Sequence, residues 1–196
     1  DLSDVQLPDS RFMRIVAKFK YLGSYLSRFG NDETDVDSRI ESAGKAFGAL
    51  RGCVFASTHI NVAAKRAVYE ALILNILLYG AESWCVTEAM KQRLRVFHAR
   101  CVRAMCRVSR KHTWAHRIST SRLEQRLGVD SIDTYLYRRQ LRWLGHVSRM
   151  DYTQRLPRRM LSSWVPHPRP CGAPPMTYGR SMMQALDAFH IHRRDW

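Results

Sequence analysis

The residues with the clearest chemical potential in this chain are arginines. Arg93, Arg100, Arg103 and Arg107 recur at helical spacing, which lays them along one flank of a helix, and Arg110 and Lys111 continue the charge. Arg138, Arg139, Arg142 and Arg149 repeat the arrangement further on. A guanidinium is a planar fork of donors that meets a phosphate bidentately, and cations along a helical ridge release the counterions condensed on a duplex. Residues 91–149 hold 15 Lys+Arg and only Glu124, Asp130 and Asp133 as acids. The chemistry this implies is contact with a polyanion, most simply RNA, DNA or a hybrid duplex, through phosphates and with little sequence specificity.

Two other constellations carry less. Cys101, Cys106, His112 and His116 read C-x4-C-x5-H-x3-H. These are zinc ligand types, but the central gap is much shorter than a two-cysteine, two-histidine finger allows. Cys101 also falls on an apolar stripe, where a buried free thiol is the simpler reading. Asp35-Val36-Asp37 offers the paired carboxylates of a two-metal site. The pair lies at a helix start, where negative charge is favoured by the backbone dipoles. There is no Walker-type phosphate loop, no G-x-S-x-G elbow and no H-E-x-x-H motif. The eight histidines are scattered, and His146, after Gly145, reads as a packing or nucleic-acid-contacting residue. The expectation is a chain with no catalytic residue, no metal and no cofactor.

The elements that must position these side chains follow from composition and periodicity. The 196 residues carry 32 Lys+Arg against 17 Asp+Glu, a formal net charge of +15. Residues 1–90 hold 10 basic and 11 acidic side chains, whereas residues 91–196 hold 22 and 6, so the charge belongs to the back half. A hydrophobic fraction of 45% excludes a wholly disordered basic tail. The longest apolar run, Ala71 to Gly80, is broken by Asn75 and is far short of the roughly 20 residues a membrane span needs. The dispersed cysteines Cys53, Cys85, Cys101, Cys106 and Cys171 suit a reducing, intracellular compartment, nucleus or cytoplasm, rather than a disulfide framework. The chain opens on Asp1-Leu2-Ser3-Asp4, without Met and without a signal segment, as a fragment or processed piece would.

Residues 12–27 are rich in aromatic and β-branched types and predict a β-hairpin or two short strands, closed by a turn at Gly30-Asn31-Asp32. Three helices follow. The first runs from about Asp35 to Leu50, with Val36, Ile40, Ala43, Phe47 and Leu50 on one stripe and Gly52 as its stop. The second starts after Asn61 and runs through Val68, Leu72, Ile73, Ile76 and Leu77 to Gly80; its apolar end makes it the most buried. The third starts after Thr87, with Met90, Leu94, Phe97, Cys101 and Met105 on one face. Ser121-Arg122-Leu123-Glu124 reads as a capping box opening a short helix that stops at Gly128. A longer helix spans about Ser131 to Arg149 and packs through Ile132, Leu136, Trp143, Leu144 and Val147. Five of the seven prolines lie between Pro166 and Pro175, an extended linker, before a last amphipathic helix near Ser181–His190 built on Met182, Met183, Ala185, Leu186 and Phe189. The predicted architecture is mainly α. It comprises a hairpin region (1–30), a three-helix bundle (31–110), a basic helical extension (111–163), a Pro-rich linker (164–180) and a C-terminal helix (181–196).

Several strings carry a resemblance. Phe19-Lys20-Tyr21-Leu22-Gly23-Ser24 resembles the F-x-Y-L-G-S motif just beyond the catalytic palm of non-LTR (LINE-type) retrotransposon reverse transcriptases. Further strings keep that family's order: Arg39-Ile40 with Ala43, Ala46-Phe47 and Leu50, then Leu77 through Trp84, then Phe97 with Arg100-Cys101-Val102-Arg103. The most specific is Arg138 through Met150, reading RRQLRWLGHVSRM. Gly172-Ala173-Pro174-Pro175 is similar to a G-R-P-P turn with Ala173 in place of arginine. The resemblance implies a primer-grip-like hairpin using Phe19, Tyr21, Leu22 and Gly23, a thumb-like bundle, and a basic extension for template RNA or target DNA. It implies a reverse-transcriptase fragment that grips template–primer through Arg–phosphate contacts, with the missing polymerase palm as a further partner. The family's paired-Asp metal motif does not precede Phe19, so this chain alone is expected to be inactive, a remnant or truncated product of such an element. The alternatives are a non-functional remnant, a helical protein-interaction module, or a zinc-dependent nucleic-acid module. Metal analysis of the purified protein separates the last of these: the expected result is no zinc at stoichiometric level, and one bound zinc per chain would reinstate the cysteine–histidine cluster as a site.

Overall fold

The computed structural model describes residues 5–6, 8, 12–153, 155–162 and 176–192. The proline-rich stretch, the Gly172–Pro175 turn and Cys171 lie outside the described residues. Two small antiparallel pairs open the chain. Strand β1 (Val5–Gln6) pairs with β2 (Phe12–Met13), and β3 (Lys18–Tyr21) pairs with β4 (Ser24–Ser27). The second pair is a tight hairpin whose corner residues, Leu22 and Gly23, both have positive φ, 47° and 90°. That backbone twist suits a two-residue hairpin turn, and glycine adopts it without strain. Phe19, Tyr21 and Leu26 share one exposed face, while Lys18 and Lys20 lie over the Tyr25 ring on the other.

Helix α1 (Glu33–Leu50) buries Val36, Ala43 and Phe47, as its periodicity predicts. Gly52 does not stop it. The chain continues through a π-helical turn, Arg51–Phe55, which brings Phe55 round to stack on Phe47 with ring centroids 4.3 Å apart. The second predicted helix begins as expected, with the Asn61 side chain accepting from Ala64 N at 2.8 Å. It forms α2 (Val62–Val68), a π turn (Tyr69–Ile73) and α3 (Leu74–Leu77). The wide turn moves the buried face onto Tyr69, Ile73, Leu74, Leu77 and Leu78, and leaves Leu72, predicted in the core, 49% exposed. Gly80 then turns the chain at φ 76°, where an added Cβ would lie 3.0 Å from Ser24 Oγ.

A short 3-10 turn (Ala81–Ser83) leads to α4 (Glu88–Met105), capped by Thr87 at Met90 N. All five residues of its predicted stripe are buried. Next come α5 (Arg110–Ala115), α6 (Thr120–Leu127) and α7 (Ile132–Ser148). Ser119, not Ser121, caps α6, accepting from Arg122 N at 3.3 Å, and this frees Glu124 to turn inward toward His98. Helix α8 (Leu156–Ser162) packs on α7, with Trp143 half-buried at their joint. Helix α9 (Tyr178–Ala188) starts inside the stretch expected to be linker, because Thr177 caps it at Arg180 N, and it packs along α7.

Buried polar groups join these elements. The Asp35 carboxylate, 2% exposed, accepts from Tyr25 N at 2.9 Å and from Trp84 Nε1 at 3.0 Å, with Arg39 Nε 3.6 Å away. Sequence placement near a helix end accounts for little of this role. Gln140, wholly buried in α7, donates to Trp84 O at 3.2 Å and to Ala81 O and Ser181 Oγ at 3.4 Å. Lys91 is held between Glu88 at 2.8 Å and Gln184 at 3.2 Å. Removing the Asp35 carboxylate leaves the Trp84 indole N–H and the Tyr25 amide without their acceptor and Arg39 without its counter-charge. Asp35→Ala is therefore expected to lower the unfolding free energy by about 3–5 kcal/mol in urea denaturation. Asp37→Ala, which breaks an exposed pair, should cost under about 1 kcal/mol; equal effects of the two would deny Asp35 its central role.

Candidate nucleic-acid interface

The predicted site residues divide among several surfaces. On the hairpin, Phe19, Tyr21 and Leu22 face outward, and Gly23 is half-buried with a would-be Cβ 3.5 Å from the Tyr79 ring. The corner is fastened from below. Tyr79 donates to Leu22 O at 3.0 Å and Arg39 to Gly23 O at 2.5 Å, with the Arg39 guanidinium stacked 4.4 Å from the Tyr79 ring. Three of the strings that carried the family resemblance, those holding Leu22-Gly23, Arg39 and Tyr79, thus meet at one junction.

On α4, Arg93 turns to α1 and grips both oxygens of Asp37 at 2.8 Å. Arg100 is exposed over the Phe97 ring at 5.5 Å, Arg103 is half-buried, and Arg107 is exposed with φ 57°. Arg110 and Lys111 are exposed on α5. On α7, Arg149 is exposed, packed close enough that a Cβ on Gly145 would meet its guanidinium at 3.3 Å.

Three predicted arginines come together with one that sequence reasoning missed. Arg138, Arg139 and Arg142 of α7 face Arg66 of α2 across an open cleft of about 310 Å³, which Glu70, Asp130 and Tyr135 also line. Arg66 pairs with Glu70 at 3.1 Å, Arg138 pairs with Asp130, and Arg139 donates to Asn75 and, at 3.3 Å, to Leu78 O. Tyr135 donates to Glu70 at 2.6 Å, and burial with that bond pushes its hydroxyl up to about 12. Burial, with Arg142 close by, holds Arg139 below the usual arginine value. Among the described residues four guanidiniums against two carboxylates leave the cleft positive, and Arg142 is the exposed cation there that no carboxylate pairs. Arg66 was hidden in the sequence because its i,i+4 spacing to Glu70 reads as an ordinary surface pair.

Along 134 residues, 68% of the chain, the sequence is 22% identical to a transposon-derived protein of Caenorhabditis elegans. The chain is similar to a transposon-derived protein. The match spans 47% of that relative's own length. No protein-family model and no solved structure matches the chain. Among the described residues no helix is long and apolar enough to cross a membrane.

The cysteine–histidine set does not converge. Cys101 is buried on the α4 stripe, Cys106 Sγ points to Leu123 O at 3.9 Å, and His112 and His116 stack on each other with centroids 4.2 Å apart. Among the described residues no group of three His, Cys, Asp or Glu is placed to hold a metal ion. The histidine with a built environment is His98, passed over in the sequence although it lies one i+4 step from Leu94. Its Nδ1 is 2.8 Å from the Tyr69 hydroxyl and its Nε2 is 3.2 Å from Glu124. Burial pushes the Cys101 thiol up to about 12. The unfolded chain gives up that proton near pH 8.5, so the thiol's contribution to stability is complete below that pH and is lost as pH rises toward the folded value. In thiol labelling at pH 8 followed by mass spectrometry, exposed Cys53 should react in the native protein and Cys101 only in denaturant. Equal labelling of the two would contradict the burial of the α4 stripe.

Proposed function

We propose that the chain is the thumb and C-terminal region of a non-LTR retrotransposon reverse transcriptase. In this reading it grips template–primer through Arg–phosphate contacts and catalyses nothing by itself. The observation that carries the reading is the cleft between α2 and α7, where Arg66, Arg138, Arg139 and Arg142 converge against two acids among the described residues. An anionic strand entering there meets Arg142 first and can recruit the paired guanidiniums at the wall. Similarity to a transposon-derived protein supports the origin, and the ordered family strings support the polymerase assignment. The hairpin, with Phe19, Tyr21 and Leu22 turned outward and Gly23 at its corner, is the primer-grip-like element. The helices behind it form the thumb-like bundle, and α5 to α9 the nucleic-acid-binding extension. The polymerase palm is the protein partner in this reading.

The test is fluorescence anisotropy of a labelled RNA–DNA hybrid at a series of salt concentrations. Binding at low salt is expected, with affinity falling linearly on log–log axes. Arg142→Ala should flatten the slope by about one unit, and so should Arg103→Ala if the α4 flank shares the contact. Absence of binding at low salt, or a slope near zero, overturns the proposal.

A further inference from the structure

Helix α5 carries the most exposed large apolar side chain among the described residues. Trp114 is 84% exposed, although it lies within a chain that buries Trp84 completely. Arg110 and Lys111 precede it by four and three residues and therefore share its helical face, and Arg117 follows by three. All three are exposed. His112 and His116 lie on the opposite face, stacked on each other. From Ala89 to Leu123 the sequence holds no Asp or Glu. Among the described residues no ring or cation stacks on the indole.

The backbone around this residue adds an independent observation. Arg107 and Arg117, the residues that end α4 and α5, hold φ of 57° and 49°. Val108 N donates to Arg103 O at 3.0 Å, and Ile118 N to Thr113 O at 2.9 Å, the bonding of a helix stop that glycine usually occupies. Both stops keep a long cation where glycine would be relaxed. The exposed indole thus lies in a run of exposed cations, with Arg110 and Lys111 one turn before it on its own face and Arg117 just past the end of the helix.

We infer that Trp114 is a stacking platform for an unpaired base of a bound nucleic-acid strand, with Arg110, Lys111 and Arg117 taking the phosphates on either side. The positive frame without acids selects a polyanion, and a bare indole face adds to its grip only where a base presents its own free face. Paired bases inside a duplex do not. The site therefore reads the single-stranded part of a template or a frayed end, whereas the α2–α7 cleft contacts phosphates alone. This inference rests on the nucleic-acid reading above and extends it to a distinct surface.

Binding is measured for a duplex with a single-stranded overhang and for the same duplex with an abasic overhang, which keeps the phosphates and removes the bases. Trp114→Ala should weaken binding to the base-containing overhang by about fivefold or more and leave the abasic one within about twofold. Trp114→Phe should retain most of the affinity. Arg117→Gly should raise the thermal midpoint while weakening both ligands. If wild type binds and Trp114→Ala binds the base-containing overhang equally well, the stacking role is overturned and the nucleic-acid reading stands. If wild type binds neither ligand at about 50 mM salt, both fall. If Trp114→Ala changes only the sedimentation behaviour of the protein, the indole is a protein contact and the inference is overturned.

Discussion

A carboxylate in the interior must find donors or it unfolds the protein around it. Asp35 finds them on two other elements, the Tyr25 amide of β4 and the Trp84 indole beyond α3, and has a counter-charge in Arg39 one turn along its own helix. Arg39 in turn reaches Gly23 O and Ser24 Oγ and stacks on Tyr79. Hairpin, α1 and the turn before α4 therefore share one charged centre. Gln140 extends it, since its amide holds the Trp84 carbonyl and thereby fixes α7 and, through Ser181, α9. The path from hairpin to last helix runs through polar bonds that are half-buried at the hairpin and fully buried at Trp84 and Gln140, where each is worth more than at the surface.

The same geometry explains how a chain of such lopsided charge forms a core. Acids from the nearly neutral front half reach cations of the back half: Glu33 and Asp37 meet Arg93, and Glu88 meets Lys91 and Arg95. Within the back half, Arg95 also meets Asp133, and Arg138 meets Asp130. The cations left exposed after this pairing, among them Arg100, Arg107, Arg110, Lys111, Arg142 and Arg149, leave the positive field over α4, α5 and α7.

What the sequence discloses is local and periodic. The Met90-to-Met105 stripe, the Asn61 and Thr87 caps and the Gly128 stop each depend on residues within a few positions, and each stands where periodicity and capping rules put it. The features it conceals depend on distant partners. Asp35 looks like a helix-end charge until Trp84, 49 residues away, donates to it. Ser121 and Glu124 match a capping pattern, but Ser119 is the cap and Glu124 faces His98, 26 residues away. Leu72 matches a helical stripe that a π turn displaces. The cleft combines Arg66 with arginines more than 70 residues along the chain, a pairing no spacing rule contains.

The hairpin shows a different economy. Strand β3 is exposed along its whole length, and the anchors that hold the pair to the helical body fall chiefly on its main chain, at Leu22 O, Gly23 O and Tyr25 N. Position is thus specified by the helices and their side chains, while the outward residues of the hairpin contribute little to staying in place. Such an element can exchange its exposed residues without losing its seat, so its surface is open to selection for contact alone.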